Sequence, residues 1–217
     1  MSRPSGKVGA PAAEPPALQL VLHNISCQHL RNRDLDKKGA RSRKEIEDAQ
    51  ASDPFVRARL IEPSTLIRKE RELARAETPH LANTAAPSWP AERLVLPLPA
   101  KGGVKVNKKT GALVMGAAIV LEVLDFDESE RPRSLGHLSA KRMAEYLKAP
   151  VVLDGAGRSA PMPVVRALLD GKSQEVVAKL SALSFSWHLE PLSVEEARRA
   201  TAAAPASAPA DPSAACL

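Results

Sequence analysis

Eight consecutive residues near the end of the chain alternate strictly between apolar and polar side chains. The segment Leu183–Glu190 reads LSFSWHLE. Successive side chains of a β-strand point to opposite faces, so a period of two matches a strand with one buried face. A helix would scatter the same apolar residues around its whole circumference. We therefore predict a half-buried strand that closes the fold.

Other segments show the same period or a strand-like apolar content. They are Leu18–Leu22, Phe55–Leu60, Arg93–Leu98 and Ala117–Leu124. The last of these is apolar on both faces apart from Glu122, so we expect it at the centre of a sheet. Several short strands of this kind predict an antiparallel β-sandwich.

Charged or helix-prone segments lie between the predicted strands. Ala40–Gln50 and Ser64–Glu77 are rich in charged residues and predict solvated helical insertions in loops. Ala140–Leu147 and Met162–Leu169 also carry helix-forming residues. The sequence thus predicts a sandwich with charged helical excursions.

Composition sets the limits of the folded region. The chain has 217 residues, 44% of them apolar but only 3% aromatic, so its core must consist of Ala, Val, Leu and Ile. Residues 1–16 and 193–217 are rich in Ala, Pro and Ser and predict disordered tails, which leaves one domain over residues 17–192. No apolar stretch approaches the ~20 residues of a membrane-spanning helix, and residues 1–16 lack a signal-peptide core. We expect a cytoplasmic protein, peripheral to a membrane or to the cytoskeleton, with free thiols at Cys27 and Cys216.

Three motifs follow one another along the predicted strands. They are Ser52–Arg57 (SDPFVR), Thr78–Trp89 (TPHLANTAAPSW) and Leu121–Gly136 (LEVLDFDESERPRSLG). Together they resemble the C2 domain family, and the resemblance extends from Leu18 to about Leu192. It implies an all-β fold, a C2-like antiparallel eight-stranded β-sandwich whose loops bind calcium and phospholipid.

The acidic residues of these loops are the candidate metal ligands. Calcium takes six to eight oxygen ligands, so its sites need carboxylates from several loops. The resemblance implies Ca²⁺ ligands at Asp36, Asp53, Asp125 and Asp127, with Glu130 as a compensating donor. Two features depart from the family: Arg133 stands where calcium-dependent relatives carry a further acid, and sixteen residues separate Asp36 from Asp53, so Asp34 is an alternative ligand. Arg133 is expected within ion-pairing reach of Asp125 and Asp127, where it would compete with calcium.

Basic residues form a second candidate site, for anionic lipid headgroups. A net charge of +6 favours anionic partners. The candidates occupy an early strand, the connection that follows it and a glycine-flanked loop: Arg57, Arg59, Arg68, Lys69, Arg71, Lys105, Lys108 and Lys109. A solvated face neutralised by Glu70, Glu72 and Glu77 is the alternative interpretation of the first five.

These observations separate the function classes. Neither a phosphate-binding glycine motif nor a nucleophile elbow occurs, so we expect no enzyme. The scarcity of aromatic residues makes nucleic acid an unlikely partner. Two hypotheses remain: peripheral binding to anionic phospholipid membranes with calcium as a candidate cofactor, and a calcium-independent C2 module for protein–protein interaction in a larger assembly.

Overall fold

The computed structural model describes residues 17–30, 52–62, 70–100, 103–107, 109–110, 112–127, 131–169 and 181–192. The strands in these ranges are β1 (Leu18–Gln28), β2 (Pro54–Glu62), β3 (Arg71–Glu77), β4 (Ser88–Pro97), β5 (Val104–Val106), β6 (Leu113–Met115), β7 (Ala118–Asp125), β8 (Arg133–Leu138), β9 (Met162–Ala167) and β10 (Ala182–Pro191). One helix, α1 (Ala140–Tyr146), follows β8. The predicted insertion Ala40–Gln50 and both predicted tails lie outside the described residues.

Eight of these strands form two antiparallel sheets. Sheet A has the order β4-β1-β10-β9, and sheet B has the order β3-β2-β7-β8. Strands β5 and β6 form a separate hairpin. The predicted eight-stranded C2-like β-sandwich is confirmed, with this hairpin added to it.

The alternating apolar residues form the core between the two sheets. Leu183, Phe185, Trp187 and Leu189 of β10 are all at most 2% exposed, so the core contains aromatic side chains as well as the aliphatic ones predicted from composition. They belong to one cluster with Leu20 of β1 and the inward residues of β2 and β7. Burying a side chain of this size contributes about 1.5–3 kcal/mol, so this period-two pattern is the main source of stability.

Two of the predicted helical segments are strands instead. In Ser64–Glu77, the described residues 71–77 form β3, because Ala74 and Ala76 pack against the core while the charged residues between them face outward. In Met162–Leu169, Pro163 lies near the start, and proline removes a backbone donor that a helix interior needs. That segment forms β9, with Val164 directed into the core. Among the predicted helical segments that the structure describes, Ala140–Leu147 contains a helix, α1, with Met143 buried.

Cys27 is a free, buried thiol within the core, as expected. Its burial raises the pKa of the thiol to about 12. A thiol that stays protonated is a poor nucleophile and a poor metal ligand, so its role is packing. Cys216 lies outside the described residues.

Candidate functional site

Two of the predicted acidic loops, those of Asp53 and Asp125, meet at one end of the sandwich. Asp53 immediately precedes β2, Asp125 ends β7, and these two strands are neighbours in sheet B. The backbone N–H of Asp53 donates to Oδ1 of Asp125 at 2.8 Å, and the N–H of Phe126 donates to the carbonyl of Asp53 at 2.9 Å. Asp125 is only 8% exposed. One of its carboxylate oxygens therefore fastens the start of β2.

Asp53 holds the loop before β4 in the same way. Its Oδ1 accepts a hydrogen bond of 2.7 Å from the N–H of Asn83, whose φ of 51° lies in the left-handed region that asparagine tolerates. In the same motif, Nε1 of Trp89 donates to the carbonyl of Pro79 at 2.8 Å, and Trp89 is buried in the core. The TPHLANTAAPSW segment thus supports the acidic loops, which explains why it accompanies them in the sequence.

Arg133 reaches the acidic loops as predicted. It begins β8 directly opposite Asp125, and its guanidinium lies 3.4 Å from Oδ2 of Asp127. The two side chains of this ion pair are 28% and 34% exposed. A permanent cation therefore stands among the carboxylates that calcium would need.

The calcium prediction itself remains a prediction. Among the residues that the structure describes, no group of three or more His, Cys, Asp or Glu is arranged to hold a metal ion. Asp36, its alternative Asp34 and the compensating Glu130 lie outside those residues. Phe126, between the two described loop aspartates, stacks on His80 with the ring centroids 4.2 Å apart.

The predicted basic face exists, but its charges are paired. Arg57 and Arg59 lie on the outer face of sheet B, where Arg57 contacts Glu77 at 2.6 Å and Arg59 contacts Glu122 at 2.9 Å. Arg71 pairs with Glu62 at 3.2 Å. The four arginines of this face meet four glutamates: Arg57, Arg59, Arg71 and Arg75 against Glu62, Glu72, Glu77 and Glu122. The described part of the face is therefore electrically balanced. Arg68 and Lys69 lie outside it.

The basic loop differs, because its described lysines make no ion pair. Lys105 on β5 and Lys109 in the following turn are exposed, and Lys108 lies outside the described residues. The turn is held by Asn107, whose N–H donates to the carbonyl of Ala112 at 2.8 Å and whose Oδ1 accepts from the N–H of Lys109 at 3.0 Å. Val106, the residue after Lys105 on β5, is 60% exposed. The hairpin therefore exposes both cationic and apolar side chains.

Sequence reasoning missed a polar cluster on the outer face of sheet A. Its centre is Glu190 on β10, which accepts hydrogen bonds of 2.9 Å from both Gln19 and Arg93. His188 lies 3.4 Å from the other carboxylate oxygen, and Arg158 lies 4.0 Å from it. Burial opposes ionisation of Glu190, but these donors together hold its pKa below the usual value. The only signal in the sequence was the placing of His23 and His188 on the polar faces of their strands.

Comparison with known proteins finds similarity in structure alone. No protein-family model matches the chain, and no curated protein matches it. A single C2 domain of plant extended synaptotagmin 1, its domain A, is similar with 14% identity and a TM-score of 0.46, over 82% of this chain and 98% of that one. BON1 C2B is similar with 16% identity and a TM-score of 0.40, over 83% of this chain and 98% of that one. A structure of extended synaptotagmin 2 that holds its SMP domain and two C2 domains has 16% identity and a TM-score of 0.41, over 82% of this chain and 29% of that one.

Each of these structures is, or contains, a C2 domain. The chain itself shows a C2-like sandwich with its three motifs gathered at one end and along β7 and β8. No helix in the described ranges is long and apolar enough to cross a bilayer.

Proposed function

We propose that this chain is a C2-like module that binds anionic phospholipid membranes peripherally and without calcium, through the β5–β6 hairpin. The observation that carries the proposal is that Lys105, Lys109 and the apolar Val106 are all exposed on this hairpin. Each cation near an anionic leaflet contributes about 1 kcal/mol, and an apolar side chain at the same edge adds buried area. A few such residues are enough for reversible docking.

The outer face of sheet B contributes less to this binding in our proposal. Arg57 and Arg59 would have to exchange Glu77 and Glu122 for lipid phosphate. The gain from a new ion pair is then offset by the loss of the old one. The unpaired lysines of the hairpin face no such competition within the described structure.

Calcium independence is proposed from the state of the three described loop aspartates. Asp125 and Asp53 each use an oxygen to hold a backbone N–H, and Asp127 contacts Arg133. A calcium ion would have to recruit these oxygens and displace a tethered guanidinium that cannot be deprotonated.

Liposome cosedimentation tests both parts of the proposal. We expect wild-type protein to bind vesicles rich in phosphatidylserine equally with calcium and with chelator, and to leave neutral vesicles unbound. The double substitution Lys105→Glu and Lys109→Glu should abolish this binding. Lys141→Glu with Lys148→Glu makes the same charge change on exposed residues in and just after α1 and should retain more of the binding. Equal losses in the two double variants would show that only net charge matters.

Arg133→Glu tests the role of the tethered cation. We expect this variant to gain calcium-dependent binding, because it restores an acid where calcium-dependent relatives carry one. Arg131→Glu changes the same charge at an exposed position two residues away and should gain nothing. Calcium-dependent binding by the wild-type protein would overturn the proposed independence.

A calcium-independent protein-interaction module is the second candidate. The balanced sheet B face favours it, because paired Arg and Glu side chains offer a partner protein directional contacts without strong attraction to a membrane. Absence of vesicle binding under every condition would favour this candidate.

A further inference from the structure

Two histidines meet on the outer face of sheet A, on the opposite side of that sheet from the core. His23 lies on β1 and His188 on β10, and these strands are hydrogen-bonded neighbours. The ring centroids are 5.1 Å apart, with an angle of 73° between the ring planes. The histidine pair is thus fixed by the sheet itself.

Each ring has a neighbouring polar group. The Nε2 of His188 lies 3.4 Å from a carboxylate oxygen of Glu190. The side chain of Asn24, at a bulge of β1 with a φ of 52°, neighbours the ring of His23. The other nitrogens, Nε2 of His23 and Nδ1 of His188, are buried and have no hydrogen-bond partner among the described residues. Buried polar atoms without partners are uncommon, so this pair calls for an explanation.

The arrangement matches the chemistry of metal-binding histidines. A ligating histidine binds the metal through one nitrogen while its other nitrogen contacts a carboxylate, carbonyl or other polar group that fixes the ring. With metal–nitrogen distances of about 2.0–2.1 Å and tetrahedral angles, the centroids of two ligating imidazoles lie about 5 Å apart. The observed separation agrees with that value.

Charged groups lie close to the two rings. Burial, followed by His188 and Arg93, lowers the pKa of His23. Arg93 contacts Glu190 at 2.9 Å, which offsets the charge of the nearby guanidinium. Arg158 also lies near Glu190, and the carboxylate of Asp154 accepts N–H groups of its own loop.

A cleft adjoins one of the two rings. An open cleft of about 540 Å³ reaches His188 between β10 and the segment Val152–Pro161. The described residues contain no third His, Cys, Asp or Glu placed to complete a metal site. Two ligands from the protein leave the other coordination positions to water or to an exchangeable ligand, which makes the site open and of modest affinity.

We propose that Nε2 of His23 and Nδ1 of His188 bind one divalent late transition-metal ion, of the Zn²⁺ and Cu²⁺ class. Imidazole suits these ions, whereas Ca²⁺ prefers oxygen ligands. The proposed site is therefore chemically distinct from the acidic loops, and its existence does not depend on membrane binding.

Titration calorimetry with ZnCl₂ tests this site in the full chain carrying Cys216→Ser, which removes that thiol as a competing ligand. We expect one Zn²⁺ per chain. His23→Gln and His188→Gln should each weaken binding by at least about tenfold, and CaCl₂ should give no competing signal. His29→Asn is the matched control, because His29 is exposed, has a φ of 53° that Asn tolerates, and should bind as the parent does.

NMR of the histidine rings keeps the proposal falsifiable if a variant fails to fold. Zinc should shift or broaden the ring signals of His23 and His188 selectively among the five histidines. Unchanged affinity in both His→Gln variants, or zinc shifts that avoid these two rings, would overturn the proposal. Absence of binding at 0.1 mM zinc, a concentration on the order of that needed for weak sites, would do the same.

Discussion

The outer faces of the two sheets carry similar residues but use them differently. On sheet B, Arg57 and Glu77 form an ion pair whose side chains are 21% and 36% exposed. On sheet A, Glu190 is 12% exposed and is surrounded by Gln19, Arg93 and His188. The outer face of sheet B therefore carries solvated ion pairs, whereas the outer face of sheet A carries a half-buried polar network around the carboxylate of Glu190.

The difference arises from what lies beside each face. The segment Val152–Pro161 lies along β10, where Ser159 exchanges backbone and side-chain hydrogen bonds with Leu189. In this setting even Val21, which points away from the core cluster, is fully buried. The alternation of residues within a strand therefore defines the two faces of a sheet, whereas the packing of the connecting segments determines which outer face remains exposed to solvent.

The largest expected effect comes from the carboxylate at the centre of the sheet A network. Glu190→Gln should lower the free energy of unfolding by about 2–3 kcal/mol, because hydrogen bonds to a charged group are strong and the amide adds a donor facing other donors. Glu122→Gln, on the more exposed sheet B face, should cost less than about 1 kcal/mol. Urea denaturation of both variants measures the difference, and equal losses would erase the proposed contrast.

Valine truncation compares apolar burial on the two outer faces. Val21→Ala should cost about 2 kcal/mol, because Val21 is 0% exposed and the deletion removes two buried methyl groups. Val120→Ala, at an incompletely buried outer position of sheet B, should cost less than about 1 kcal/mol. Thermal melts of the two variants rank them, and a larger loss for Val120→Ala would contradict the comparison.

Two glycines test how closely the segment beside β10 fits. Gly157 has a φ of +75°, and an added Cβ would lie 2.9 Å from Cγ of Pro191. Gly157→Ala should therefore cost about 1–2 kcal/mol. Gly155→Ala, where an added Cβ meets nothing within 4 Å, should stay within about 0.5 kcal/mol of the parent protein. Similar stabilities for both variants would mean that the segment accommodates the added methyl group at Gly157 without a loss of stability.

The smallest expected effect is the coupling energy between two paired side chains on the outer face of sheet B. A double-mutant cycle on Arg57→Ala and Glu77→Ala should give a coupling energy of about 0.5 kcal/mol that decreases in high salt. A coupling above about 2 kcal/mol that persists in salt would show that this face is as tightly organised as sheet A.

The strands with one buried face were predictable from local sequence. Strict alternation located β10, and apolar content located β1, β2 and β7, because side-chain burial in a sandwich follows the strand period directly. The residues RELARAE of β3 were misassigned, because each favours a helix in isolation and only pairing with β2 makes the strand preferable. The ion pair between Arg133 and Asp127 was foreseen from the motif, since both residues flank one short connection.

The sequence by itself determined the fold class, the inward residues of the alternating strands and the meeting of the loops that carry Asp53 and Asp125, since these depend on period and on short-range motifs. Tertiary structure alone decided that Arg57 and Arg59 would be neutralised and that His23 would meet His188. Those contacts depend on strand register between residues far apart in the chain, and a shift of one position would turn each side chain to the opposite face. Register is fixed by packing of the whole sandwich, which no local pattern records.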